Sequence, residues 1–164
     1  MNSKKLFIWG FLFMSVIGTL LHFVYEWSGN NSIVRLFAPW NESTWEHMKL
    51  LFFPMLALVL FLFFKLPEQS PIPVALSIGT LVGLALIPIL FYTYTGVLGF
   101  SVMAIDIAIF YISVLGVFLT GWFLKDNRKL ANRSGLLLTC LVILAILFFI
   151  FSYYPPEIGL FQEP

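Results

Sequence analysis

The chain has 164 residues, of which 60% are hydrophobic and 10% charged, with a formal net charge of +1. Ordinary soluble domains carry about 25% charged residues, so this composition excludes that class and points to a membrane protein. The near-neutral balance excludes a nucleic-acid partner, which would need a basic face, and the lone Cys140 excludes an internal disulfide.

A helix needs about 20 apolar residues to cross a bilayer. Five stretches qualify, at about 6–27, 43–64, 73–94, 101–124 and 135–154. The first apolar run, Leu6 to Val24, follows Lys4 and Lys5. It exceeds a signal-peptide h-region of about 7–15 residues and lacks a small-x-small cleavage site, so it is expected to remain as span one. The predicted fold is therefore all-α, a polytopic bundle of five transmembrane helices in a single integral membrane domain over 1–164. Short connections predict antiparallel neighbours packed side by side. In span one, Ser15, Gly18, Thr19, His22 and Glu26 share a helical face expected to point into the bundle. Pro54 in span two and Pro88 in span three each remove a backbone donor. Gly79 and Gly83 form a Gly-x-x-x-Gly pair suited to close helix approach. Tyr92-Thr93-Tyr94-Thr95-Gly96 reads as a turn, and Asp106, Ser113 and Thr120 recur along an inward face of span four.

Lysine and arginine set the expected orientation. Lys4, Lys5, Lys65, Lys125, Arg128, Lys129 and Arg133 fall at one end of the predicted bundle, leaving Arg35 and Lys49 at the other. The first end is expected to be cytoplasmic, with the N-terminus inside and the C-terminus outside. With a rise of about 1.5 Å per residue, His22, Asp106 and His47 then lie roughly 6–8 Å from the outer ends of spans one, four and two. Three spans bring ionisable groups to one level.

Both histidines and three of the eight acidic residues, Glu26, Glu42 and Glu46, occur between Leu21 and Lys49. Ionisable groups are costly in a membrane and mark function. His22 and Glu26 are four apart and share a helix face, as do Ser43 and His47, with Glu42 and Glu46 on an adjacent face. His22, His47 and Glu26 form a two-histidine, one-carboxylate ligand set, suited to zinc with a position left for water, or to non-haem iron. Glu42, Glu46 and Asp106 are the candidate acid/base groups.

The same residues support a structural reading. Ser43-Thr44-Trp45-Glu46 is a capping box, with Asn41 as an alternative cap. Glu46 and Lys49 are spaced for an ion pair. His22 can hydrogen-bond Glu42 or Asp106, and Asp106 can pair with Lys49 or Arg35. Trp27, Trp40, Trp45, Tyr92, Tyr94, Tyr153 and Tyr154 read as interfacial aromatics, and the segment Ile33 to Trp40 as a short interfacial piece covering the site.

The run Gly18-Thr19-Leu20-Leu21-His22-Phe23-Val24-Tyr25-Glu26-Trp27, the string Asn41-Glu42-Ser43-Thr44-Trp45-Glu46-His47 and the tail Tyr154 to Phe161 resemble a family of small multi-pass bacterial membrane proteins of unknown function. That resemblance implies a bacterial plasma membrane and supplies no activity. A looser similarity is to the alkaline ceramidase-like membrane hydrolases, which combine Ser, Asp and three His around zinc; this chain has two histidines and five predicted spans.

Three readings follow. One is a metal-dependent hydrolase or transferase acting on a lipid-linked substrate at an outward-facing pocket between spans one, two and four. A second is a subunit binding or transporting a small solute or ion there. The third is a polar cluster that only ties helix ends together. The bilayer is the expected partner in each.

Overall fold

The computed structural model describes residues 2–164. Its regular structure is five long helices joined by turns and short 3-10 pieces: α1 (Ser3–Trp27), α2 (Thr44–Lys65), α3 (Ile72–Leu98), α4 (Met103–Leu124) and α5 (Ser134–Tyr153). Among the described residues there is no strand. All five helices are long and apolar enough to cross a membrane. The all-α, five-span expectation therefore holds, and each predicted end falls within four residues of the observed one.

The largest displacement is informative. Tyr92–Gly96, expected as a turn, lies inside α3, which runs to Leu98. Thr93 and Thr95 donate their hydroxyl hydrogens to the carbonyls of Ile89 and Phe91, so these polar residues are satisfied within the helix. The helix stops at Gly99, whose φ of +79° is left-handed and whose N–H returns to the Thr95 carbonyl.

α2 is the centre of the bundle. Its Leu51, Phe52, Met55 and Val59 are fully buried, against Met14 of α1, Leu76 of α3, Val114 and Val117 of α4 and Phe148 of α5. Lipid tails are as apolar as these side chains, so close packing rather than water exclusion holds such helices together. The Gly79/Gly83 pair performs that task between α3 and α4. A Cβ on Gly79 would stand 2.3 Å from the Val117 carbonyl oxygen, and one on Gly83 2.5 Å from Val117 Cγ2.

Successive helices alternate in direction: the end of α1 meets the start of α2 at His22 and His47, and the end of α3 meets the start of α4 at Tyr94 and Asp106. The expectation that sequence neighbours always pack side by side needs correcting for α5. It lies on α2 and α3, while α4 packs on α3 and α1. Two aromatic layers seat α5: Trp45 and Phe52 of α2 hold Phe148 at ring distances of 4.5 and 4.8 Å, and Phe53 stacks on Phe149. The C-terminal tail folds back so that Phe161 covers Trp45 at 4.9 Å.

The inward stripe of α4 is as expected, with Ser113 buried and Asp106 and Thr120 half-buried. That of α1 is narrower than expected. Gly18 is buried and His22 half-buried, but Thr19 and Glu26 are exposed. At about 3.6 residues per turn a four-residue step advances by about 40°, so the stripe rotates off the contact line towards the helix end.

Replacing Gly79 by alanine should lower stability in detergent by about 1–3 kcal/mol, as overpacking against backbone does. Gly96→Ala, in open space, should leave it unchanged or slightly raised. Thermal unfolding of the two variants checks this, and equal stability would argue against the close α3–α4 contact.

Candidate metal centre

The site forms where the α1 terminus, the connection 28–43 and the start of α2 meet. Local structure begins with the α2 cap. Ser43 is extended (φ −66°, ψ 150°) and its Oγ accepts the Glu46 N–H at 3.4 Å, satisfying one orphan donor of the first turn. Only this half of the expected capping box forms. The Ser43 N–H goes to Asn41 Oδ1 at 3.0 Å, and Glu46 turns away from it.

Glu46 is directed to a buried ion pair. Its Oε2 lies 2.6 Å from Lys49 Nζ and also accepts the Trp40 N–H at 3.4 Å. Lys49 is fully buried, and its ammonium donates to Ser152 Oγ at 2.5 Å and to the Arg35 carbonyl at 2.8 Å as well. An ammonium has three hydrogens, and all three are used. Arg35 completes the knot. Its Nη2 donates to the Ser152 carbonyl at 2.6 Å, and its guanidinium lies over the rings of Trp40 at 3.7 Å and Tyr153 at 4.9 Å. Arg35 therefore caps a C-terminal carbonyl of α5, where the helix dipole favours positive charge, and Lys49 meets the Ser152 hydroxyl beside it. Tyr153 adds a hydrogen bond to the Ser32 carbonyl at 2.7 Å. The connection 28–43 is thereby fastened to α2 and α5.

One turn from Ser43, His47 is set by the same backbone. Its Nδ1 is 3.0 Å from the Ser43 carbonyl oxygen. That oxygen has no hydrogen to give, so Nδ1 carries the proton. Nε2 is then left facing Glu42 Oε2 at 3.3 Å. A bare nitrogen lone pair and a carboxylate repel at this distance, so a positive charge belongs between them: a second proton on the imidazole, or a metal cation. His22 approaches from α1, with its ring 5.2 Å from that of His47.

Ligand-capable atoms of His22, Glu42 and His47 all lie within 4.8 Å of one another. In tetrahedral zinc with bonds of about 2.0–2.1 Å, ligand atoms stand about 3.3 Å apart. The Nε2–Oε2 distance of 3.3 Å matches that spacing. A ring N–H held by a backbone carbonyl is the usual support for a metal-bound imidazole.

The residues anticipated from sequence divide clearly. His22 and His47 are brought together. Glu26, anticipated as the third ligand, is exposed at the last turn of α1 and is not among the gathered residues. Glu42, anticipated as an acid/base group, stands in its place. Glu46 is held by Lys49, away from the histidines. Asp106 pairs with neither Lys49 nor Arg35: it accepts a hydrogen bond from the Tyr94 hydroxyl, which also accepts the Val102 N–H at 3.0 Å. Sequence reasoning missed the parts played by Arg35, Ser152 and Tyr94. Ser152 closes an apolar run with no nearby signal, and Tyr94 looks like any interfacial tyrosine.

Fold and site together define a multi-pass helical membrane protein with a His/carboxylate cluster at one end of the bundle. The chain belongs to DUF6512, a family of unknown function, whose model matches residues 1–164. No curated protein and no solved structure matches it, and the looser similarity to ceramidase-like enzymes finds no support there.

Two outcomes follow. Lys49→Met, which leaves Glu46 buried and unpaired, should cost about 3–5 kcal/mol, and Ser152→Ala about 1 kcal/mol, both read by denaturation in detergent. Glu42 provides the pH dependence. The hydrogen bond from His47 holds its carboxyl below the ordinary 4.5, against partial burial and with help from the charges of His47 and His22. A depressed folded pKa stabilises the folded state above the ordinary value, and that contribution is lost as pH falls through the folded one. In metal-free protein, wild type and Glu42→Gln should differ in Tm above pH 4.5, and the difference should shrink as pH falls below that value through the lower folded pKa. A difference that stays constant on acidification would contradict the pairing.

Proposed function

We propose that this protein is a membrane metalloenzyme that holds one zinc-class cation on His22, Glu42 and His47 and hydrolyses a lipid-linked substrate. The observation that carries the reading is the His47 arrangement, in which Nδ1 is committed to a carbonyl and Nε2 points at a carboxylate at 3.3 Å. Three protein ligands leave a position for water, which distinguishes a catalytic zinc site from a closed structural one. The same donor set also suits non-haem iron.

Zinc supplies a bound water of lowered pKa. Asp106, whose carboxylate is oriented by the Tyr94 hydroxyl, is the group we assign as the base that would accept a proton in such chemistry. Glu46 is left out of the chemistry because Lys49 and Trp40 occupy its carboxylate. The excess of lysine and arginine at the opposite bundle end favours a site facing away from the cytoplasm, and the family resemblance favours a bacterial plasma membrane. A transport path receives less support. Ser77 and Thr80, deeper in the bundle, donate their hydroxyls to carbonyls of their own helix at 2.9 Å, which leaves the unpartnered Ser113 hydroxyl without a continuing relay through them.

Elemental analysis of detergent-purified protein tests this reading. Wild type should hold about one zinc or iron per chain, as a three-ligand site requires, and Glu26→Gln should keep it. His22→Ala, His47→Ala and Glu42→Ala should lose it while eluting as folded protein. Asp106→Asn should retain the metal but slow cleavage of a chromogenic long-chain ester by about 10²-fold or more. Metal-free wild type, even after reconstitution with zinc or iron, would overturn the proposal.

A further inference from the structure

The seam between α1 and α4 carries a polar pair that ties the two helices together and leaves acceptor capacity unused. Thr19 of α1 and Tyr111 of α4 share a hydrogen bond of 3.0 Å, yet both are exposed on the apolar, membrane-facing side of the bundle. Thr19 lies three residues before His22, about 4.5 Å deeper along α1.

Their hydrogens can be assigned. Thr19 Oγ1 donates its one hydrogen to the Ser15 carbonyl at 2.7 Å. Tyr111 must therefore donate to Thr19. Both hydrogens are used, and what the pair still offers is lone pairs. It can bind a group that donates, such as an amide N–H or a hydroxyl, and it has nothing to give an ester or phosphate oxygen.

Further along the same seam, α1 and α4 part to form an apolar groove of about 240 Å³, lined by Phe7, Ile8 and Leu12 on one side and Leu115, Leu119 and Trp122 on the other. Leu12 is ten residues from His22, about 15 Å along the helix, within reach of a long acyl chain whose head is at the histidines. Cluster, acceptor pair and groove thus follow one line, from polar to wholly apolar.

We propose that the substrate of this site is a long-chain acyl lipid bearing a hydrogen-bond donor beside its acyl linkage, with the chain in the α1–α4 groove and the donor on the Thr19–Tyr111 pair. The inference rests on the metal reading only for which bond reacts; seating of the chain and of the donor does not need the metal.

The test uses full-length protein in detergent micelles and a palmitoyl amide carrying a diazirine at the chain terminus, with adducts mapped by peptide mass spectrometry. Adducts should concentrate on Leu12, Leu115 and Leu119 and fall in a groove-filling Leu115→Trp variant. N-methylpalmitamide and monopalmitoylglycerol should each displace the probe better than methyl palmitate, which has no donor; which of the two is stronger separates an amide from a hydroxyl substrate. The preference over the ester should be about fivefold, the size of one neutral hydrogen bond. It should vanish in the double variant Thr19→Val/Tyr111→Phe, which removes both acceptors, and survive in Thr19→Ser, which keeps the hydroxyl. Both the adducts and the preference should persist in His22→Ala, so their presence or absence is read independently of metal content. Adducts scattered over all membrane-facing helices, or equal displacement by the ester, would overturn the inference.

Discussion

The structure depends on where the Lys49 ammonium is placed. It is fully buried, and its three hydrogens join Glu46 on its own helix, Ser152 near the end of α5 and the Arg35 carbonyl in the long connection. Taking an ammonium and a carboxylate out of water is expensive, and only complete hydrogen bonding offsets it. Completeness here has a geometric result. The connection 28–43 cannot move without breaking one of these bonds or lifting Arg35 from Trp40. Glu42 lies near the end of this fastened segment, and so its carboxylate is delivered to His47. The stabilising network and the candidate metal centre are thus separate sets of residues one helix turn apart, with the first positioning the second.

That division explains why two acidic residues four positions apart differ so much. Glu46 faces inward to Lys49 and is 2% exposed, whereas Glu42 precedes the helix, with 64% of its side chain exposed, and faces His47. The first is neutralised within the protein. The second is placed where a proton or a cation must separate it from a nitrogen lone pair. Such an arrangement suits an ion that enters from the surface and is held by side chains already oriented by backbone.

Much of this was legible in the sequence. Five apolar runs of spanning length fix the helix count, because in a bilayer the backbone must satisfy itself. The rarity of charge made the His22–Lys49 region stand out, and the Glu46–Lys49 pair and the Ser43 cap follow from spacing alone. What spacing could not supply is azimuth and long-range contact. His22 and Glu26 share a face on a helical projection, but the α1–α2 contact covers His22 and leaves Glu26 exposed. Glu42 is not in a helix, so no periodicity links it to His47; a fixed turn does. Likewise Ser152 meets Lys49 only because α5 packs on α2 and α3 rather than on α4, which chain order does not reveal.

The most direct test of the account is the first coordination shell itself. X-ray absorption at the zinc edge, on the zinc-loaded protein and on Glu42→Gln, reports ligand type and number. The account predicts two imidazole nitrogens with oxygen ligands at about 2.0–2.2 Å in wild type, and in Glu42→Gln a shell that keeps both imidazoles and loses the carboxylate. A shell of oxygens alone, or one with a single imidazole, would contradict it.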